Sequence, residues 1–318
     1  MGTTIAIVTL WGVPALPNPV GLVRGAVGDA VRLTLAGRST RSADDFVHQG
    51  SDPGLFGPDS VTWQVHGTPA MIIGGLRALF LQTLHPLALA GVADHSNYRH
   101  DPLGRLHRTS DFVGVTTYGT TRRAEEALAT VRAVHQRVQG TTPGGRPYSA
   151  LDPHLICWVH VTEVDSFLAA HQRYATGPTL TPEDADRYLA EMARIPVALG
   201  ADPAEVPRSV DELCAFLDGI RPELRYGAQA RSAVRFLVVP PLPLVTRGPY
   251  GVVAAAALGL LPSWARRMLW LPPVAVADPI VVRPAASAMV RALEWFLDPP
   301  PSSPAARLNA LADNAAHG

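Results

Sequence analysis

The sequence contains no lysine, so arginine carries all of its side-chain positive charge apart from histidine. The 27 basic residues are balanced by 27 acidic ones, and charged residues make up only 17% of the chain. Proteins that track the phosphates of nucleic acids need a strongly basic surface, because phosphate neutralisation supplies most of their affinity. A neutral chain without lysine therefore excludes this class, and we expect no nucleic-acid partner.

Cysteine is also scarce. The two cysteines, Cys157 and Cys214, lie far apart in separate apolar helical patterns, and no CxxC pair is present. This spacing excludes a disulfide framework and a zinc ribbon. We expect both residues to be buried free thiols, which pack as small apolar side chains.

An uninterrupted apolar run of membrane-spanning length is missing as well. The longest candidate, Pro69–Val92, is interrupted by Arg77, Gln82 and His85, whereas a spanning helix needs about 20 predominantly apolar residues. We expect a buried core helix, with membrane contact that is at most peripheral. The apolar stretch Thr3–Trp11 has no preceding basic residue, so we interpret it as part of a packed arm rather than a signal peptide, and expect a cytoplasmic protein.

What the sequence does contain is apolar residues, at 47%, spaced mostly at helical intervals. No segment alternates for long enough to suggest a sheet-based fold. The sequence therefore predicts an all-α protein with a single large helical domain over residues 51–300. An irregular N-terminal arm at 1–50 and a flexible tail at 301–318 complete the expected organisation.

Several start and stop signals divide this domain into helices. Thr68 is predicted to cap a helix that opens at Pro69, and Pro86 should end or kink it. The segment 122–139 is the clearest amphipathic stretch, with Gly140 as its C-terminal stop. Further helices are expected from Asp152-Pro153 to about His171, after the capping boxes Thr181–Asp184 and Ser209–Glu212, and over 222–238, 249–260, 262–270 and 284–297.

Two histidines stand on the inner faces of predicted helices. His135 lies among Leu128, Val131 and Val138, and His160 has similarly apolar neighbours. A histidine in such a setting is a neutral core residue, a metal ligand or a general base. The spacing alone leaves these three explanations open for both residues.

Arginines follow a different pattern nearby. In a helix, Arg105, Arg108 and Thr109 would share one face through their i, i+3 and i+4 spacing. A macrocyclic iron cofactor needs an apolar slot, one neutral imidazole and arginines for its propionates. The segment suits the last requirement, although a solvated basic turn explains the same residues equally well.

Other chemistries have less support. No nucleophile elbow, zinc-protease helix or phosphate-binding glycine loop occurs after a predicted strand. The Gly74-Gly75 pair falls inside a predicted helix, where close helix packing explains it. A non-haem metal site is an alternative, and its candidate ligands are His85, Asp94, His95 and Asp101.

An ordered series of short motifs resembles a known family. The series comprises Gln82–Pro86, Asp94–Ser96, Asp101-Pro102, Gly104–Leu106, Arg108-Thr109, Tyr118-Gly119, Val134-His135, Gly140, Tyr148–Ala150, Asp152-Pro153 and Trp158–His160. Together these motifs are similar to the actinobacterial branch of the DUF2236 family, which includes the mycophenolic-acid oxygenase MpaB and the latex-clearing rubber oxygenase. The resemblance covers roughly residues 55–300.

This resemblance implies a globin-like helical core that binds haem b, with one protein histidine on the iron. In the rubber-oxygenase branch that histidine follows an Arg-x-x-Lys-Thr motif. The same order here runs Arg105, Arg108, Thr109 and then His135. The resemblance thus implies that His135 is the axial ligand and that Arg105 and Thr109 are polar residues of the haem pocket, with Arg108 beside them as a further catalytic candidate.

Two features depart from the rubber-oxygenase pattern. The motif's lysine is Arg108, which differs from lysine in geometry and proton affinity. In addition, apolar residues 87–90 occupy the region in which the distal carboxylate is expected. The family implies oxygen chemistry, but these differences argue against rubber cleavage itself.

The resulting expectation is a haem b-dependent oxygenase that acts with O2 on a small lipophilic metabolite, such as an alkene, an isoprenoid or an aromatic. The sequence leaves its electron donor and oligomeric state open. An alternative is a haem-binding sensor or carrier without turnover, in which His160 or His85 closes the coordination. A third is a helical scaffold that has lost haem.

Overall fold

Helices dominate the described part of the chain, as the 3.6-residue apolar spacing predicts. The computed structural model describes residues 52–97, 99–271 and 278–297. The expected arm at 1–50 and tail at 301–318 lie outside this part. The α-helices are α1 (Val61–His66), α2 (Ala70–Gln82), α3 (Pro86–His95), α4 (Pro102–Tyr118), α5 (Thr121–His135), α6 (Pro153–Tyr174), α7 (Pro182–Met192), α8 (Arg194–Leu199), α9 (Val210–Gly219), α10 (Ala228–Val238), α11 (Leu244–Leu260), α12 (Ser263–Met268) and α13 (Arg283–Phe296). A 3-10 turn at Arg221–Glu223 and a π-helical turn at Asp278–Val282 complete them.

Four of the predicted helices begin at side-chain caps, namely those at Thr120, Asp152, Thr181 and Ser209. The starts predicted at 222 and 249 are wrong, because α10 begins at Ala228 and α11 at Leu244. The Asp152 carboxylate accepts a hydrogen bond from the backbone N–H of His154 and opens α6. At α7, Thr181 and Asp184 form a reciprocal capping box. The box predicted at Ser209 is only half formed, because Glu212 accepts from the N–H of Arg208 instead. The cap predicted at Thr68 is wrong, since α2 begins without a side-chain cap and Pro69 occupies that position.

The break between α2 and α3 also follows the sequence. α2 ends at Gln82 and α3 begins at Pro86, with their axes bent by 107°. Across the described residues, no individual helix combines the length and apolar character of a membrane span, and the bent α2–α3 pair does so only when both helices are counted together.

The antiparallel pair α2 and α6 forms the centre of the fold. A Cβ atom added at Gly74 near the start of α2 would lie 2.9 Å from Phe167 Cδ1 and 2.9 Å from the Ser166 carbonyl oxygen. At the other end of α2, Gln82 donates from Nε2 to Thr162 Oγ1 at 3.1 Å. The glycine thus permits close helix packing, which confirms that part of the sequence interpretation.

A buried ion pair joins these same helices. Arg77 donates from Nη1 to Asp165 Oδ2 and to Ser166 Oγ, both at 2.7 Å, and from Nε to the Leu260 carbonyl at 3.0 Å. Arg77 therefore ties α2 to both α6 and α11, and its hydrogen bonds compensate the cost of burying a charge. The arginine that interrupts the apolar run of α2 therefore has a structural role, with three hydrogen bonds to two other helices.

A short antiparallel hairpin departs from the all-helical prediction. β1 (Gln139–Thr141) pairs with β2 (Pro147–Ser149), and Gly140 lies opposite Tyr148. Helix α5 ends at His135 instead of continuing to 139, so Gly140 is not its stop. A Cβ atom at Gly140 would lie 2.6 Å from the Tyr148 hydroxyl oxygen, so the glycine is required by the close approach of that ring.

The expectation for the thiols is half right, because Cys157 is buried and Cys214 is exposed.

Candidate functional site

One face of α6 carries three polar side chains, with one aromatic ring between them, toward the core. His160, Glu163, Phe167 and His171 are spaced at i, i+3, i+7 and i+11, which places them on the same side of the helix. His160 and His171 are buried, and the Phe167 ring lies 5.4 Å from the ring of His66 on α1, centre to centre. We name this row the α6 polar face.

The histidines of this region are neutral at physiological pH. Burial lowers the pKa of His160 to about 3 and that of His66 to about 3, with His171 adding to the effect at His66. Nε2 of His160 is buried without a hydrogen-bond partner among the described residues, whereas a hydrogen bond with the backbone of Val65 raises the pKa of His171 against the larger lowering by burial. A buried ring nitrogen without a hydrogen bond is costly for a residue with only a structural role. The neutral imidazole is also the form in which histidine binds a metal.

A hydrogen-bonded chain runs beside this face. His66 contacts Thr117 Oγ1 through Nδ1 at 2.8 Å and the Tyr188 hydroxyl through Nε2 at 3.1 Å. In the neutral tautomer one of these nitrogens donates and the other accepts. Burial, followed by the charges of Glu163 and Glu191, raises the pKa of Tyr188 well above its ordinary value. Glu163 therefore lies close to the tyrosine end of this chain.

Glu163 is the residue that sequence reasoning missed. Burial raises the pKa of its carboxyl to about 7, although a hydrogen bond from Gln82 and the charge of Arg105 act in the opposite direction. A carboxyl with this pKa exchanges a proton near neutral pH, as a general acid or base must. The signal was present in the sequence, because Glu163 follows His160 by three residues on the same helical face.

The arginine segment is helical, but its side chains diverge. Arg105 donates from Nη1 to Ser96 Oγ at 2.6 Å, and its charge reaches Glu163 across the space between α4 and α6. Arg108 is exposed, with Nη1 3.6 Å from Asp101 Oδ2. Thr109 is also exposed and donates to the Arg105 carbonyl at 3.1 Å. Of the three predicted residues, Arg105 is the one whose charge acts on the pKa of Glu163.

His135 occupies the last position of α5. Its ring is half-buried, burial lowers its pKa, and its buried Nδ1 has no hydrogen-bond partner among the described residues. The apolar face of the predicted amphipathic segment 122–139 is buried at Ala124 and Leu128. It does not extend to Val134, whose side chain is 43% exposed. Leu128 shares one core cluster with residues of α6, so α5 packs in the same core as α6.

A match to a known protein family identifies the class of protein to which this chain belongs. Residues 63–295 match the family described as "ER-bound oxygenase mpaB/B'/Rubber oxygenase, catalytic domain". The chain belongs to this oxygenase family. It is accordingly an oxidoreductase. No curated protein and no solved structure matches the chain.

The other residues expected around an oxygenase centre lie elsewhere. Nδ1 of His85 accepts from the N–H of Ala88 and caps α3, and its ring lies 6.0 Å from that of Trp158, centre to centre. Since Trp158 and His160 are two residues apart on α6, they point to nearly opposite sides of the helix. His85 therefore belongs to a different region from the α6 polar face.

The alternative non-haem site also fails to assemble as expected. Asp94 accepts from the Tyr148 hydroxyl at 2.5 Å, and His95 contacts the Gln139 carbonyl through Nε2 at 3.1 Å. Asp101 caps α4 by accepting from the N–H of Gly104 at 2.8 Å. All four candidate ligands, His85 included, thus have structural hydrogen bonds, and the four-residue set is not brought together in the described part of the chain.

The residue types that the described chain offers fit a haem of the kind that the family resemblance implies. Apolar side chains on four helices pack against the core while staying partly accessible: Leu79, Phe112, Val131 and Val159. His135 and His160 each have a buried ring nitrogen without a hydrogen-bond partner among the described residues, and the guanidinium of Arg105 suits a propionate. These are the donor types that a porphyrin needs.

Proposed function

We propose that this oxygenase uses haem b, with His135 as the axial ligand, and acts with O2 on a small lipophilic metabolite. The observation that supports this best is His135 itself, because its ring is half-buried, its pKa is lowered by burial and its buried Nδ1 has no hydrogen-bond partner among the described residues. His135 is preferred to His160 because the family resemblance implies a ligand at this position and because the ring of His135 is half-buried, whereas His160 is buried.

Bound haem would supply the iron that activates oxygen. The protein's own groups have separate tasks. Arg105 neutralises a propionate, since a guanidinium pairs well with a carboxylate. Glu163 holds or releases a proton at its carboxyl oxygen. Its charge acts on Tyr188, which is one end of the hydrogen-bonded chain Tyr188–His66–Thr117. Half-buried apolar side chains keep competing water away and favour a lipophilic substrate.

Catalytic roles for Thr109 and Arg108 have less support than a role for Arg105. The Thr109 hydroxyl is satisfied by its own helix, so orienting bound oxygen requires that it exchange this hydrogen bond. Arg108 pairs with Asp101 at the surface, which suits a solvated helix surface better than a catalytic role. We retain both residues as predictions and assign the proton chemistry to Glu163.

A haem carrier or sensor is the second candidate. The unpartnered Nε2 of His160 favours it, because a second histidine on the iron would leave no open position for oxygen. His85 is less suited to this task, since its Nδ1 caps α3 and its Nε2 lies 3.5 Å from Glu223 Oε2.

Absorption spectroscopy of the reconstituted protein tests both candidates. We expect a Soret band that shifts when carbon monoxide is added to the reduced protein, and we expect His135→Ala to lose haem during gel filtration. His95→Ala is the matched control, because this exposed histidine lies outside the α6 polar face. A low-spin spectrum insensitive to carbon monoxide would support the carrier. If His160→Ala alone lost haem, the ligand assignment would be wrong, and the absence of any Soret band would exclude both candidates.

A further inference from the structure

Three segments that are distant in sequence meet on the side of α6 opposite the α6 polar face. His85 lies at the start of α3, His154 in the first turn of α6 and Glu223 at the end of the 3-10 turn. One nitrogen from each histidine and one carboxylate oxygen of Glu223 all lie within 4.8 Å of one another. We call these three residues the His-His-Glu cluster.

The individual distances show how the cluster converges. Oε1 of Glu223 lies 3.1 Å from Nε2 of His154, and Oε2 of Glu223 lies 3.5 Å from Nε2 of His85. A single carboxylate therefore stands between two imidazoles and presents one oxygen to each. Two histidines and a carboxylate form a donor set that suits zinc and iron(II).

The buried member of the cluster has an unsatisfied atom. His85 is 1% exposed, and its Nε2 makes no hydrogen bond of acceptable geometry within the described residues, although Glu223 is nearby. Such a nitrogen, directed at two further donors, is unusual for a residue with only a structural role. Burial outweighs the opposing influence of Glu223 and lowers the pKa of His85, which favours the neutral imidazole that a metal requires.

The opposite side of the cluster is open. The side chains of His154 and Glu223 are 37% and 41% exposed, so an ion can enter and water can complete its coordination. Oε2 of Glu205 lies 3.8 Å from Nδ1 of His154, beyond hydrogen-bond distance, and adds a second negative charge beside the cluster. In addition to burial, the charges of His154 and Arg146 lower the pKa of His85. The two carboxylates favour a divalent cation at this site.

We propose that His85, His154 and Glu223 bind a divalent transition-metal ion, with Zn²⁺ as its simplest representative, at the junction of α3, α6 and the 3-10 turn. The ion would take Nε2 of each histidine and one Glu223 oxygen, with water in the remaining position. By linking three segments that are distant in sequence, it stabilises the folded chain. This proposal does not depend on haem binding.

The proposal has a consequence at the start of α3. Nδ1 of His85 accepts from the Ala88 N–H at 3.4 Å, which is a long hydrogen bond. If Nε2 binds the ion, the ring proton resides on Nδ1, so this nitrogen can no longer accept from Ala88. Metal binding should therefore shift the Ala88 amide resonance.

Zinc binding by the full-length protein is the direct test. After dialysis against a chelator, we expect the wild type to bind one Zn²⁺ per chain in equilibrium dialysis. We expect at least tenfold weaker binding for His154→Ala and for Glu223→Gln, whose exposed side chains make both changes compatible with folding. His95→Ala, which removes another histidine outside the cluster, should bind as the wild type does.

Two readouts on the unmodified chain accompany the variants. Zinc should raise the thermal unfolding midpoint of the wild type, and it should shift the Ala88 amide resonance. Failure of the wild type to bind Zn²⁺ stoichiometrically would overturn the proposal. The same conclusion follows if Glu223→Gln and His154→Ala bind as tightly as wild type, or if only His95→Ala loses binding.

Discussion

The helix pairs α2–α6 and α4–α5 differ in how completely they are buried. In α6, apolar and polar side chains are buried from Leu155 to Tyr174 on several sides, and α2 is enclosed almost as fully. In α5, by contrast, only Ala124 and Leu128 are buried, and among the side chains of α4 that the structure describes, Thr116 and Thr117 are buried. One pair forms the centre of the core, and the other covers it loosely.

This difference separates stability from function. Apolar burial supplies most of the folding free energy, so the α2–α6 pair should dominate stability. The loosely packed pair carries Arg105 and His135, the two residues assigned to the cofactor. A helix that leaves half-buried apolar side chains beside a core has room to accept a flat apolar group between them. Substitutions should therefore act on stability in α2–α6 and on ligand retention in α4–α5.

The largest effect is expected at the buried ion pair. Asp165→Ala leaves the guanidinium of Arg77 buried without its carboxylate, which should lower the free energy of unfolding by about 3 kcal/mol. Urea denaturation followed by circular dichroism measures this. The exposed pair on α5 is the matched control, and Glu126→Gln should cost less than about 0.5 kcal/mol. The double variant Arg77→Met/Asp165→Leu should recover part of the loss, and a further loss would contradict this account.

Gly74 provides a smaller effect with an internal control. Gly74→Ala places a methyl group 2.9 Å from Phe167 Cδ1 and from the Ser166 carbonyl, so it should destabilise the protein by about 1 to 3 kcal/mol. The same change at Gly75 meets its nearest neighbour at 4.0 Å, and the higher helix propensity of alanine should stabilise by up to about 1 kcal/mol. Thermal unfolding of both variants checks the sign. Equal effects at the two positions would show that α2 and α6 are not held this closely.

The sequence could predict several helix boundaries because their signals are local. Pro86 lacks a backbone N–H, and Asp152 and Thr181 cap their own helices within a few residues, so each boundary is specified nearby. The hairpin at 139–149 was missed because its strands are only three residues long, too short to show alternation. Gly140 was assigned a local role, whereas a ring from the opposite strand determines it.

The candidate sites were less accessible to the sequence, since their residues come together only through the fold. The ordered motifs pointed to His135 and Arg105, but no local pattern joins His85 to Glu223 across 138 positions. Likewise, burial raises the pKa of Glu163 while Gln82 and Arg105 from two other helices oppose that rise. Helical spacing could have placed Glu163 beside His160, but it could not have predicted that environment.

The smallest effect expected concerns Glu163 and the pH dependence of stability. Its pKa rises from 4.5 when unfolded to about 7 when folded, so the folded protein binds this proton more tightly. Stability from this residue is therefore complete below pH 4.5 and decreases as the pH rises to about 7. A full shift corresponds to roughly 3 kcal/mol, and partial exposure reduces it, so we expect about 1 to 2 kcal/mol.

Glu163→Gln should remove this decrease and be more stable than the wild type above pH 7. His66 and His160 contribute with the opposite sign, because their lowered pKa values make stability rise with pH up to about 6.5. Both histidines are present in wild type and variant, so the difference between the two urea-denaturation curves isolates Glu163. Glu126→Gln is again the control and should follow the wild type across this range. A difference that is constant between pH 5 and 8 would mean that Glu163 is ionised throughout, and the proton chemistry proposed for it would have to be assigned to another group.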